Sequence, residues 1–161
     1  MTRARPVEFR FAAPDEPELL ARMADVSAAR TGWINLQPLV DEEHEPPGPG
    51  PFAFLGGSTH KVPVATWMPG RLAADGTAKP TTVGLQHAAG PRLAAKLRDA
   101  GLPLPDGWRI TQDHPRRGLV ALVPADADDA VVMAWLLEAA TFASTVPTTG
   151  RWTASVHAGL A

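Results

Sequence analysis

The chain has 161 residues, of which 45% are hydrophobic and 20% are charged, and these values are typical of one globular domain spanning residues 1–161. A formal net charge of −2 argues against a general nucleic-acid surface, and no apolar run reaches the roughly 18 residues of a membrane span. The lack of cysteine excludes disulfides, thiolate metal sites and a thiol nucleophile. Without an apolar leader segment, the chain is expected to be soluble and cytoplasmic.

The first half of the chain predicts a β-α-β-β segment. Residues 7–11 have the pattern of a short strand, and residues 17–30 carry apolar side chains at helical spacing before Gly32. Residues 33–40 alternate apolar and polar at first, and residues 62–68 predict the next strand.

A long acidic and Pro/Gly-rich loop is expected between these two strands, over residues 41–60. Its aromatic residues Phe52 and Phe54 indicate that it folds back over the body as a lid or, alternatively, that it is a linker. Hard oxygen and imidazole ligands are present, but their spacing matches no metal motif, so no metal is predicted. These ligands are Glu42, Glu43, His44, Glu45 and His60.

The second half predicts the order β-α-β-β-α-β. Strands are expected at residues 83–87, 108–112, 119–123 and 151–157, with helices at residues 91–100 and 128–144. This is the connectivity of a ferredoxin-like split βαβ sandwich. The fold class is therefore predicted as α+β, with a ferredoxin-like C-terminal half extended by the N-terminal β-α-β-β segment.

Side-chain alternation predicts which face of the sheet the helices cover. Trp152, Ala154 and Val156 share the apolar face of the last strand. On the strand that begins at residue 108, alternation predicts that one set of side chains faces the opposite side of the sheet from the other. The first set is Trp108, Ile110 and Gln112, and the second is Arg109, Thr111 and Asp113. The helix at 128–144 is apolar nearly all round, so either the N-terminal segment or a second subunit is expected to pack on it.

The richest local chemistry lies at the hairpin tip, residues 112–118. Asp113 and His114 are candidates for acid–base work, and Arg116 and Arg117 could hold a phosphate or carboxylate. The plainer interpretation is a Pro/Gly turn whose acid caps backbone amides and whose arginines are solvated. A direct Asp113–His114 dyad is disfavoured because adjacent strand residues point to opposite faces.

A second candidate is His87, which ends a strand just before a predicted helix start, where backbone amides favour anions. The plain alternative is a histidine whose hydrogen bonds are satisfied within the fold. Nucleotide-binding glycine motifs and serine-hydrolase motifs are missing from the sequence, so no cofactor is predicted. Gln86, Gln112 and Trp67 complete the expected ligand-binding set.

These observations support two functional hypotheses. The first is a binding or interaction module, expected to be a homodimer, with a possible site for an anionic small molecule; a protein that regulates a partner enzyme is a variant of it. The second is a small enzyme that uses His87 and His114 for proton transfer, while Arg116 and Arg117 hold an anionic substrate. The enzyme hypothesis requires these four side chains to share one cleft.

Overall fold

The computed structural model describes residues 5–13, 16–44 and 60–158, and these residues form the α+β fold that the sequence predicts. Within them, one seven-stranded sheet has only antiparallel neighbours, and three helices cover it. Its strands are β1 Val7–Ala12, β2 Trp33–Pro38, β3 Val64–Met68, β6 Thr81–Gln86, β7 Arg109–His114, β8 Gly118–Val123 and β9 Arg151–His157. A small separate hairpin pairs β4 Arg71–Leu72 with β5 Ala78–Lys79.

The helices are α1 Pro17–Ala29, α2 Leu93–Asp99 and α3 Asp129–Ala143, with a single 3₁₀ turn at Glu42–His44. The predicted main-sheet strands and the three predicted helices agree with the observed bounds to within two residues at each end. The short strands β4 and β5 are not among the predicted elements. No helix of the described residues is long and apolar enough to cross a bilayer.

The strand order is β1-β9-β2-β3-β6-β8-β7. In the second half, β8 lies between β6 and β7, as a split βαβ unit requires. A ferredoxin-like sheet also places its first and last strands side by side, but here β2 and β3 lie between β6 and β9. A contiguous ferredoxin-like unit is therefore not confirmed, and the N-terminal segment lies in the middle of the sheet as well as at its β1 edge.

The three helices pack on one face of the sheet and enclose the core. Side chains from all three helices join Trp67, Trp152 and the other inward-facing strand residues in one buried cluster. Helix α3 contacts both α1 and α2, which explains why its sequence is apolar nearly all round. The N-terminal segment supplies that cover through α1, so the composition of α3 needs no second subunit.

The opposite face of the sheet, called the open face below, has no helix among the described residues. Its apolar side chains are outside the buried cluster, in contrast to the inward-facing residues on the same strands. The strand register groups on this face Trp33, Asn35, Gln37, Val64, Thr66, Met68, Thr82, Gly84, Gln86, Val120, Leu122, Arg151, Thr153, Ser155 and His157. Among the described residues, its charged side chains are Glu8, Arg10 and Arg109 on the edge strands and Arg151 at the first residue of β9.

Candidate functional site

The polar side chains of the hairpin tip hold the turn between β7 and β8. The Nδ1 atom of His114 accepts hydrogen bonds from the backbone N–H groups of Arg116 at 3.0 Å and Arg117 at 3.1 Å. The side-chain amide of Gln112 donates to the carbonyl oxygen of Arg117 at 2.8 Å. Much of the unusual chemistry of this loop therefore closes the loop itself.

A β-bulge in β7 changes the direction of the side chains that follow it. The pairing with β8 steps from Ile110 opposite Ala121 to Gln112 opposite Val120, so Thr111 is the extra residue. The prediction that Ile110 and Gln112 share a face is therefore wrong, because simple alternation does not survive a bulge. As a result, Asp113 lies on the helix-covered face, opposite Leu119.

Asp113 caps helix α2 from the neighbouring strand. Its Oδ1 accepts from the N–H of Leu93 at 3.1 Å, and its Oδ2 accepts from the N–H of Ala94 at 3.0 Å. The residue at the N-cap position, Arg92, has a left-handed backbone (φ 57°) and makes no side-chain capping bond. The carboxylate thus occupies the amides where an external anion would bind.

His87 lies beside this cap and is almost fully buried, with 2% of its surface exposed. Its Nδ1 accepts from the N–H of Ala89 at 3.1 Å, while Nε2 is buried and has no hydrogen-bond partner. Burial lowers the pKa of His87 below its usual value, and the carboxylate of Asp113 opposes this. The nearby charges of Lys96 and His60 act in the same direction as burial and lower this pKa further.

The predicted acid–base residues do not meet in one cleft. His87 and His114 lie at the same end of the sheet, one strand apart. His87 is buried on the helix-covered side, whereas the register directs His114 to the other face because the adjacent Asp113 faces the helices. Gly118, with φ 87°, lies between them and approaches β6 so closely that a Cβ would be 2.5 Å from the Leu85 oxygen.

The other predicted ligand-binding residues are scattered. Arg116 and Arg117 are exposed, Gln86 and Gln112 belong to the open face, and Trp67 is buried beneath the helices. His157 lies at the opposite end of the sheet, opposite Trp33 on β2. Phe52, Phe54 and most of the predicted lid lie outside the described residues.

The need for an external cap on α2 can be recognised from the residues at the start of the helix, although the strand and helix patterns do not show it. Residues 90–92 read Gly-Pro-Arg, and none of these side chains can accept a backbone hydrogen bond at the helix start. A helix without its own cap needs an acceptor from elsewhere in the fold. Asp113 is that acceptor.

The open face contains a polar cluster that the sequence did not single out. The Thr66 hydroxyl donates to Oδ1 of Asn35 at 2.8 Å, and the Asn35 amide lies 3.4 Å from Nε2 of His157. The ring of His157 stacks on Trp33, with centroids 4.7 Å apart and planes inclined by 7°. These contacts join β9, β2 and β3 on the uncovered side of the sheet.

An exposed acidic group lies after β2, within the region considered for metal binding. Asp41, Glu43 and His44 place their ligand atoms within 4.8 Å of one another. Exposed acidic side chains commonly cluster in this way without a cation, and His44 already lies 3.7 Å from the Glu43 carboxylate. Of the other ligands considered there, Glu45 lies outside the described residues.

Comparisons of the chain with protein-family models, with curated proteins and with solved structures found no match. The function therefore has to be inferred from the geometry of the molecule.

Proposed function

We propose that the protein is a non-catalytic interaction module that forms a homodimer through the open face of its sheet. The observation that carries this proposal is the distribution of charge on that face. Across the five inner strands, the only Asp, Glu, Lys or Arg on the open face is Arg151, the first residue of β9 at the end of the sheet. The other charges of this face, Glu8, Arg10 and Arg109, occur on the edge strands β1 and β7. Protein interfaces have this anatomy, with a core depleted of charge inside a polar rim.

The size of the open face suits a stable interface. Seven strands about 4.8 Å apart and about six residues long span roughly 30 Å by 20 Å, or about 1,200 Å² for two facing copies, at the lower end of specific interfaces. The face mixes aliphatic side chains such as Val64, Val120 and Leu122 with amide and hydroxyl groups. Aliphatic groups supply the hydrophobic contribution, and the polar groups fix the register of the two sheets.

A second copy is the partner that this chemistry favours. Because Arg151 lies at the end of β9, a basic or acidic partner finds no opposite charge at the centre of the face, whereas two uncharged centres meet without repulsion. The Asn35–Thr66 hydrogen bond and the Trp33–His157 stack hold side chains in place before association, which reduces the entropy lost on binding.

The oligomeric state tests the proposal directly. Light scattering coupled to gel filtration should give twice the 17.0 kDa chain mass for the unaltered protein at micromolar concentration. Thr66→Arg places a charge at the centre of the face and should yield the monomer mass with an unchanged circular dichroism spectrum. The matched control is Ala134→Arg on the exposed side of α3, which should remain dimeric.

Two outcomes would contradict the proposal. One is a monomeric unaltered protein at every concentration tested. The other is a dimer that survives Thr66→Arg, or one that Ala134→Arg disrupts instead, since either would move the interface away from the open face.

The enzyme hypothesis is less well supported. It needs His87, His114, Arg116 and Arg117 around one substrate, but His87 is buried on one side of the sheet while His114 holds the turn that carries the two arginines. An anionic ligand at α2 would have to displace Asp113 from the first helical amides. A cytoplasmic location stays a prediction from the sequence.

A further inference from the structure

Strand β7 forms one edge of the seven-stranded sheet. Within the described residues its only strand neighbour is β8, and the backbone of β7 makes hydrogen bonds only within the ladder that it forms with β8. The N–H and C=O groups on the other side of an edge strand are a template for a further extended chain. Six residues at about 3.3 Å each offer such a chain a ladder roughly 20 Å long.

The surface around this edge is basic, although the chain as a whole carries a net charge of −2. Residues 88–118, which contain α2 and β7, include six Lys or Arg but three Asp or Glu. Two of these acids are already occupied, because Asp113 binds the first amides of α2 and Asp99 lies 3.3 Å from the Nε atom of Arg98. Among the described residues, most of the basic groups in this region therefore make no ion pair.

Four exposed arginines of this region lie on β7 or beside its ends. Arg109 is the first residue of β7, and Arg116 and Arg117 lie in the turn that follows it. Arg92 immediately precedes the turn of α2 that Asp113 caps. None of the four arginines makes an ion pair with another described residue. A strand added to β7 thus meets positive charge at both of its ends.

This charge favours an acidic partner over a second copy of the chain. Antiparallel pairing of two β7 strands brings Arg109 of each copy towards the turn arginines of the other, and parallel pairing aligns like charges. The opposite edge of the sheet has no such excess, because Glu8 and Arg10 of β1 differ in sign and Glu8 accepts a hydrogen bond from the Ser155 hydroxyl at 3.3 Å. An acidic chain therefore finds its complement at the β7 edge.

We propose that β7 binds an extended acidic segment of a partner protein, which joins the sheet as an additional strand. The backbone of this segment pairs with the free N–H and C=O groups of β7, as in other complexes formed by strand addition. Its acidic side chains lie near Arg109, Arg116 and Arg117, and an apolar side chain packs on Ile110, which is 37% exposed. This binding is independent of the proposed dimer, because the dimer uses the open face of the sheet and not its backbone edge.

Four six-residue peptides separate strand addition from charge attraction alone. The acidic peptide has three Glu-Val repeats, and the basic control has three Lys-Val repeats. Two further versions of the acidic peptide are N-methylated, one at every glutamate and the other at every valine, so each lacks the N–H donors of one edge. The full chain is titrated with each peptide, and the backbone ¹H–¹⁵N resonances of Arg109–His114 are followed by NMR.

The acidic peptide should shift these resonances saturably with a Kd of about 0.1 mM, and the basic peptide should bind at least about tenfold more weakly. Successive N–H groups of a strand point to opposite edges. One N-methylated peptide should therefore keep its affinity, while the other should lose about tenfold or more because its bonds to β7 are missing. Binding should also slow the hydrogen exchange of the β7 amides that face away from β8.

Charge-reversal variants locate the site. Arg116→Glu combined with Arg117→Glu should weaken binding of the acidic peptide about tenfold or more, with an unchanged circular dichroism spectrum. The matched control is Arg5→Glu combined with Arg10→Glu, which changes the net charge equally but at the β1 edge. At physiological ionic strength this control should leave the Kd within about twofold, because distant exposed charges are screened.

The proposal is overturned if the acidic peptide shifts none of the β7 resonances up to about 2 mM, or if the basic peptide binds as tightly. It is overturned as well if both N-methylated peptides bind like the parent, or if neither binds, since strand addition uses the donors of one edge only. Equal affinity for a six-nucleotide oligothymidylate, which has negative charge but no peptide backbone, contradicts it, and so does an unaltered Kd for the double reversal in the turn. The dimer proposal is unaffected by these results, since light scattering tests it independently.

Discussion

The two ends of the sheet contrast sharply. At the end that carries the hairpin tip, the fold places an acid, two imidazoles and an amide, but most of their hydrogen-bonding atoms bind backbone groups of the protein itself. At the other end, the residues around Trp67, Thr81 and Val123 form no conspicuous sequence motif. The buried Trp67 N–H at this end is nonetheless left without a hydrogen-bond partner.

Chemical richness in a sequence is a poor guide to a site when the same groups can stabilise a turn or a helix end. Short polar side chains near turns and helix starts bind backbone amides readily. A buried polar group without a partner is the more informative signal, because native structures contain few of them.

Removing the Asp113 carboxylate should destabilise the protein most. Asp113→Ala leaves two amides of α2 uncapped, and the free energy of unfolding should fall by about 2 kcal/mol in guanidinium titrations. The exposed Asp126 makes no comparable contact, so Asp126→Ala should change it by less than about 0.5 kcal/mol. Equal effects of the two substitutions would argue against the capping role.

His114 should matter as a hydrogen-bond acceptor rather than as a proton carrier. His114→Ala should lower the free energy of unfolding by about 1 kcal/mol, because two backbone N–H groups lose their acceptor. His114→Asn keeps an acceptor near the position of Nδ1 and should recover more than half of that loss in the same titration. If asparagine is no better than alanine, the ring has another role.

His87 should make the protein sensitive to acid. Because its pKa is lowered in the folded state, the unfolded chain binds the proton more readily as pH falls below about 6.5. Stability should thus be full above that pH and decline as the solution is acidified towards the lowered folded-state pKa. Unfolding curves from pH 8 to pH 5 should show a shallower decline for His87→Asn, which keeps an acceptor for Ala89 but does not titrate.

The smallest effect is expected at Asp129. The pKa of Asp129 is raised in the folded state, so its ionised carboxylate lowers the stability of the protein at neutral pH. This loss of stability disappears as the pH falls through the raised folded-state pKa towards the pKa of the unfolded chain. Asp129→Asn should therefore melt slightly higher than the unaltered protein at pH 7, with the gap closing near pH 4. A variant that melts lower at pH 7 would show that the charge is favourable in its helix turn.

Most secondary structure could be predicted because local periodicity encodes it. Trp152, Ala154 and Val156 alternate with polar residues, and they face the helices as expected. The order of the strands in the sheet could not be predicted in this way, since nothing local to β2 or β3 indicates that they separate β6 from β9. Those pairings depend on contacts between residues far apart in the chain.

The candidate site was less predictable than the fold for the same kind of reason. A single extra residue, Thr111, reverses the alternation of β7, and it turns Asp113 from the expected face towards α2. No pattern of residue types distinguishes the bulged strand from a regular one. The unsatisfied N–H of Trp67 is likewise a property of packing and cannot be read from the sequence.

The capping bonds from Asp113 have a consequence for local opening of the native state. A helix as short as α2 is not stable on its own, so its first turn depends on the carboxylate that β7 presents to it. Fluctuations that detach the edge strand should release the helix start as well. In hydrogen exchange, the amides of Leu93 and Ala94 should then exchange together with those of the β7–β8 ladder, as one cooperative unit.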